Sequence, residues 1–371
     1  MNHRSRITIG FALCLLVCLT ACSPAAAPME GEAPSASTEA ITLVDALGRE
    51  VTFEQPPQRI VITGRAHFML ADAAYCFPEA SEHVAGLSKS KQTDVTSFTE
   101  LLDPNYEEKA IFDAETGAED IAAVQPDAVL LKSYLANGLG ASVEQLGIPV
   151  VYIDLETPEQ YKRDFAILGQ LFDDPDRAVA LWGSYQARLD ELAELAEAVP
   201  DAEKPRALVL QYAESGGEIA FKAPPASWIQ TQMVELAGGL PVWEESVQGS
   251  GWVVVNLEQI AAWDPDHIFI ISYFSNVNDA VDSLIADPLW QELTAVQTGQ
   301  VHGFPKDFYS WDQPDNRWIL GLTWMASQLY PERFQVDMEQ EFYQFYETFY
   351  GLDAATVEAE IVTPLLEGNA W

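Results

Sequence analysis

The chain has 371 residues, with 57 Asp and Glu against 19 Lys and Arg, a formal charge of −38 and 48% hydrophobic residues. That length makes one large or two ordinary domains with ample apolar material for cores. The scarcity of cations argues against a nucleic-acid binder and against a basic surface that adheres to anionic lipid, and a mean hydropathy near zero argues against wholesale disorder.

Arg4 and Arg6 precede an apolar run, Ile7 to Thr20, that ends in Leu19-Thr20-Ala21-Cys22. A spanning helix needs roughly 20 apolar residues, so this shorter run reads as a secretion signal over residues 1–21. Leu-Thr-Ala-Cys resembles the bacterial lipobox, which implies that Cys22 carries a lipid and becomes the first mature residue. Residues 22–40, rich in Pro, Ala, Ser and Glu, predict a flexible tether. Cys14, Cys18 and Cys22 fall in this region, and Cys76 stands alone in the remainder. No intrachain disulfide or cysteine metal cluster is expected, and Tyr75 and Phe77 predict a partly buried thiol.

From residue 41 short β-rich runs alternate with helical stretches, the pattern of parallel sheets covered by helices. Strands are predicted at Ile60 to Ile62, Ala128 to Leu131 and Pro149 to Ile153, each nearly all apolar, as buried parallel strands are. A long helix is predicted from Asp174-Pro175 to about Ala198, with proline in its first turn and Pro200 after its end. A second series follows at Ala207 to Leu210, His267 to Ile271 and Val301 to Phe304. The predicted fold is α/β: two Rossmann-like lobes with mainly parallel sheets, joined by one long rigid α-helix, with a ligand cleft between them. The lobes are set at 41–172 and 200–371, the latter with C-terminal helices, and the bridge at 173–199. No stretch of the body is apolar for 18 residues, so a soluble body is expected.

Residues 119–131 read Glu-Asp-Ile-Ala-Ala-Val-Gln-Pro-Asp-Ala-Val-Leu-Leu, and residues 258–270 read Glu-Gln-Ile-Ala-Ala-Trp-Asp-Pro-Asp-His-Ile-Phe-Ile. Six positions match at identical offsets. Each copy predicts a short helix with Glu in its first turn, then a Pro-Asp turn into a buried strand. One supersecondary unit thus occurs once per lobe.

On these residues the sequence resembles the solute-binding proteins of ABC importers for iron–siderophore complexes, haem and cobalamin, of the helix-bridged class III periplasmic-binding type. Ile41 to Val51 resembles that family's entry hairpin, Pro56 to Val61 its first strand, and the likeness runs to about residue 337. The resemblance implies that Glu119 and Glu258 pair with arginines of a membrane permease, which acts with its ATPase. A continuous helical bridge resists hinge bending, so limited closure of the lobes is expected; a monomer is expected too, and the signal with its lipobox predicts an extracytoplasmic location in which only the lipid on Cys22 touches the cell membrane.

Ligands of such folds sit beyond the carboxyl ends of parallel strands. There the sequence offers Arg65, Lys132 and Tyr134 in the first lobe, and Tyr212, Trp228, Tyr273, Tyr309 and Trp311 in the second. Arg65 and Lys132 are expected to neutralise an anionic ligand, and the aromatics to cover a broad apolar one. Trp318 and Trp324, at helical spacing, are expected to pack in a core. His67, His83, His267 and His302 are unpaired in sequence, so no resident metal or cofactor is expected; a haem ligand could still take Tyr134, Tyr273 or His67. Serine-hydrolase, zinc-protease and phosphate-loop signatures are absent, which favours binding over catalysis. The expected function is capture of an iron–siderophore or related metal chelate for an importer; haem, cobalamin or a molybdate- or tungstate-type oxyanion are alternatives, and a secreted enzyme a remote one.

Overall fold

The computed structural model describes residues 40–89, 98–113, 115–215 and 218–367. The expected secretion signal, the lipid site Cys22 and the tether up to residue 39 lie outside them.

A hairpin of β1 (Ile41–Val44) and β2 (Glu50–Phe53) precedes the first sheet. That sheet comprises β3 (Ile60–Ile62), β4 (Val84–Ser88), β5 (Ala110–Phe112), β6 (Ala128–Lys132) and β7 (Val150–Ile153). Their order is β5-β4-β3-β6-β7 and every pairing is parallel. The apolar runs are explained by burial on both faces: Ile60, Ile62, Leu130, Val151 and Ile153 join one core, while Val61, Val129, Leu131, Val150 and Tyr152 join another.

Two packed helices follow, Pro158–Leu171 and the 23-residue Pro175–Glu197. Thr157 and Asp174 cap them by accepting the backbone N–H of Gln160 and Arg177, with proline in each first turn. On the long helix Ala178, Leu181, Tyr185 and Leu192 make the buried stripe. Arg177 ties its start to both sides, donating to the Cys76 carbonyl (2.9 Å) and to those of Thr348 and Phe349 (2.8 Å each) in the helix Met338–Tyr350.

The second sheet holds β8 (Arg206–Ser215), β9 (Glu218–Ala223), β10 (Leu240–Pro241), β11 (Val253–Val255), β12 (His267–Ile271) and β13 (Val301–Gly303). Its order is β11-β9-β8-β12-β13, with β10 beside β8. β8, β10, β12 and β13 run parallel, but β9 and β11 pair antiparallel. The alternation that marks βαβ units located β8, β12 and β13; the two-residue β10, and β9 with the mixed pattern of Glu218 to Ala223, gave no such mark.

The repeated segment is a repeated structure. The helices Ala118–Ala123 and Leu257–Trp263 each end in a turn with a left-handed residue at the same offset, Gln125 (φ 55°) and Asp264 (φ 43°), before β6 and β12. An arginine at the start of the neighbouring strand reaches across each turn. Arg59 donates to the carbonyls of Val124 (2.7 Å) and Gln125 (3.2 Å), and Arg206 to those of Trp263 (2.5 Å) and Asp264 (3.3 Å). The Pro-Asp aspartates complete the unit: Asp127 accepts the N–H of Gln58 (3.0 Å), and Asp266 that of Arg206 (2.9 Å).

Candidate functional site

β3 leads through Thr63 and Gly64 into the helix His67–Ala74, and β13 leads into the loop from Phe304 to Arg317. These two connections meet. The Phe68 ring stacks on Tyr309 with centroids 4.7 Å apart, Asp72 accepts from the Arg317 guanidinium (2.9 Å), and Asp72 also accepts the N–H of Asn316 (3.0 Å). Because strands within each parallel set point the same way, the carboxyl edges of the two sheets face one another across this junction.

Arg317 is fully buried at the junction. Its Nε donates to Asp307 at 2.5 Å, and its guanidinium carbon lies 4.4 Å from the Phe98 ring centre and 5.2 Å from that of Tyr309. The Tyr346 hydroxyl donates to Asp307 (2.5 Å). Burial opposes the charge of Arg317, but Asp307 and Asp72 outweigh it and raise its pKa further. Burial pushes the Asp315 carboxyl well above the usual carboxylate range, with Arg317 pulling the other way. Sequence reasoning missed this centre; its signal was a charged residue opening the apolar stretch Trp318 to Met325.

On the first lobe, Arg65 and Tyr134 come together at the ends of adjacent strands β3 and β6. The exposed Tyr134 donates its hydroxyl to the Arg65 carbonyl (2.9 Å), and no carboxylate of the described residues pairs with the exposed Arg65 guanidinium. Arg65 sits between two left-handed residues, Gly64 (φ 86°) and Ala66 (φ 62°), a strained turn of the sort that clusters at binding sites. A Cβ on Gly64 would stand 2.6 Å from Leu135 Cδ1, so glycine is required there twice over.

Lys132 differs from expectation. Its side chain is fully buried, and its ammonium is committed to the Glu156 carboxylate (2.7 Å) and the Asp154 carbonyl. A buried ammonium needs a counter-charge of its own, so it is not an open cation. His67 is also buried, its Nδ1 2.9 Å from the Gly64 carbonyl oxygen, and burial lowers its pKa.

On the second lobe the structure brings Trp228 and Tyr273 together through Trp252, which the sequence reading did not single out. Ring centroids are 5.6 Å apart for Trp228–Trp252 and 6.5 Å for Trp252–Tyr273, and the row runs on to Phe274, which is 84% exposed. The Tyr273 hydroxyl donates to Asp312 (2.8 Å), which also accepts from Gln230 (3.0 Å) and Ser310 (2.5 Å). Burial pushes the Asp312 carboxyl up to about 6 against these three donors. The only mark of Trp252 was an aromatic after the polar run Gln248 to Gly251.

Tyr212, Tyr309 and Trp311, also expected at the ligand, are packed against neighbouring side chains. Tyr212 packs edge-on against Phe221, which in turn packs on Trp290, because β8 and β9 set Tyr212 and Phe221 opposite one another. Tyr309 is 5% exposed, between Phe68 and Arg317. Trp311 is 2% exposed and stacks on Phe342 at 6.0 Å, lining a cavity of about 620 Å³ inside the second lobe with Phe304, Trp324 and Lys306. Gly321 lets the Trp311 carbonyl approach its helix so closely that any Cβ would collide with it. Trp318 and Trp324 pack as expected, against Tyr185 and Phe304 respectively, and Cys76 is buried with a free thiol. Among the described residues no three His, Cys, Asp or Glu are grouped to hold a metal ion.

Glu119 and Glu258 are exposed, each the second residue of its helix, and neither enters an ion pair among the described residues. Capping does not explain Glu258, since Asn256 and Gln259 form the capping box of that helix.

A family model of periplasmic binding proteins matches residues 63–308. The chain belongs to that family. It is therefore an ABC-type periplasmic solute-binding protein, of a family that binds small ligands outside the cytoplasm and works with a permease and an ATPase. It is similar to the molybdate-binding protein MolA of Haemophilus influenzae, 23% identical over 333 residues that span 83% of this chain and 90% of MolA. The achromobactin-binding periplasmic protein of Dickeya dadantii is 25% identical over 218 residues, 58% of this chain and 65% of that protein. A periplasmic solute-binding protein of Veillonella parvula has the same fold, with a TM-score of 0.70 at 23% identity, covering 90% of this chain and all of the other. No helix among the described residues is long and apolar enough to cross a membrane.

Proposed function

We propose that this periplasmic binding protein captures an iron–siderophore or related metal chelate between its lobes, unchanged, and delivers it to an ABC importer. The observation that carries the reading is the row Trp228–Trp252–Tyr273–Phe274, ending in an exposed ring. Such a row suits a ligand with a broad flat surface, since aromatic side chains bury large area at low entropy cost. Arg65 supplies a planar fork for a carboxylate or other anionic group, in a protein whose bulk charge would otherwise repel it. Similarity to an achromobactin-binding protein supports the same class. Glu119 and Glu258 form a two-point acidic footprint for the permease, which favours orientation and encounter more than raw affinity. The protein acts as a monomer, held at the membrane through a lipid on Cys22.

A second reading, a molybdate-type oxyanion, is favoured by the wider match to MolA. Tryptophan fluorescence titration distinguishes the two. Ferric catecholate and hydroxycarboxylate chelates, haem, cobalamin, molybdate and tungstate are added in turn, with recovery of the ligand afterwards. The proposal expects quenching by a ferric chelate recovered intact; response to molybdate or tungstate alone, or consumption of the ligand, overturns it.

A further inference from the structure

We propose that Arg59 and Arg206 are positioning residues of the permease-docking face, each clamping the end of one docking helix so that Glu119 and Glu258 are held in equivalent poses. The inference rests on the docking reading above and adds to it the part that sets the geometry of the two acids. The helices concerned span only Ala118–Ala123 and Leu257–Trp263, lengths at which an isolated helix is marginal. The first has no side-chain cap at its start, whereas the second carries a full capping box, so capping alone would not make the two copies alike. What they share lies at the other end. In both lobes one guanidinium takes the carbonyls at the same two offsets from the glutamate, five and six residues on.

Those carbonyls are the unsatisfied acceptors of a helix terminus, where a cation is also favoured by the helix dipole. The fork of arginine meets two successive carbonyls at once, as a lysine ammonium does not. Both arginines are exposed, so their duplicated geometry is not a by-product of core packing. Each sits at the start of a central strand, Arg59 before β3 and Arg206 opening β8, and the Asp127 and Asp266 bonds fix that start to the same turn. The clamp therefore references each glutamate to the central strand of its lobe's sheet. A two-point footprint needs both acids at a fixed separation, because binding at the second point gains from the first only when the geometry permits both.

The test uses the full chain and its cognate permease–ATPase complex in nanodiscs, with docking affinity, thermal unfolding and amide hydrogen exchange as readouts. Variants are R59Q/R206Q, R59K/R206K and E119Q/E258Q. The expected result for R59Q/R206Q is docking weakened roughly tenfold, with exchange across both docking helices faster by a similar factor and little change in Tm. R59K/R206K should recover part of the loss. E119Q/E258Q should weaken docking with exchange unchanged. Docking lost on E119Q/E258Q but kept in R59Q/R206Q overturns the inference and leaves the docking reading standing. Docking untouched by either pair overturns both. Docking lost only in the arginine variants also overturns the inference, because the arginines would then act on the permease directly.

Discussion

Arg317→Met tests whether one buried cation holds the two lobes together. Arg317 is fully buried, 2.9 Å from Asp72 of the first lobe and 2.5 Å from Asp307 of the second. Methionine keeps much of the volume but leaves the buried carboxyls of Asp72, Asp307 and Asp315 without their cation, a loss of about 3–5 kcal/mol by analogy with other broken buried pairs. Against a total stability of about 5–15 kcal/mol, that is enough to move a urea midpoint far down. Asp72→Asn is milder, about 1–2 kcal/mol, because Arg317 keeps Asp307 and the amide oxygen still accepts from Asn316. In R317M/D72N the stranded charge at position 72 is gone, so the double variant should be more stable than the sum of the single losses predicts, by about 1–3 kcal/mol. The assay is urea unfolding of all four proteins at pH 7, followed by tryptophan fluorescence. Additivity within about 0.5 kcal/mol would mean that Asp72 and Arg317 are not coupled across the junction.

Other outcomes follow from the same contacts. Burial pushes the Asp312 carboxyl up to about 6 when folded, above its ordinary 3.8, so its ionisation destabilises the fold increasingly as pH rises from about 4 through 6 and adds no penalty below that window. The stability of D312N relative to the parent should therefore rise by up to about 3 kcal/mol between pH 4 and 7; a flat difference in urea unfolding would refute this. His302 runs the other way: burial, then His267, lowers it to about 4, so folding loses stability as pH falls from about 6.5 toward 4. H302Q should resist acid better over that window in thermal unfolding. Trp252→Ala breaks the aromatic row at its middle and should weaken chelate binding by roughly tenfold or more in titration, whereas Y212A should change it less than about twofold. R65Q should weaken an anionic chelate roughly tenfold and flatten the salt dependence, while K132M should lower Tm and leave affinity within about twofold.

The fold was legible where local pattern and burial agree. Apolar triplets such as Ile60 to Ile62 sit between two covered faces and can scarcely be anything else, and Asp174-Pro175 announces its helix by capping chemistry. The repeat around Glu119 and Glu258 was legible as residues, but its arginine clamps were not, because Arg59 and Arg206 lie about 60 residues or more from the carbonyls they hold. The same distance hid the site. Lys132 looked like an open cation at a strand end until Glu156 arrived from the next turn to neutralise it. Trp311 and Tyr309 looked like loop aromatics, yet the loop folds inward against Phe342 and Phe68. Trp252 gained meaning only from standing between Trp228 and Tyr273.

Capture by the aromatic row and Arg65 leaves the chelate intact and bound until the protein unfolds. Purification of the full chain from its native host, with mass spectrometry and metal analysis of what leaves it on denaturation, identifies that ligand. One equivalent of an iron-bearing organic chelate is expected, lost from a W252A/R65Q variant prepared in parallel. Stoichiometric molybdenum or tungsten without an organic ligand, or a chelate retained in full by that variant, would contradict such capture.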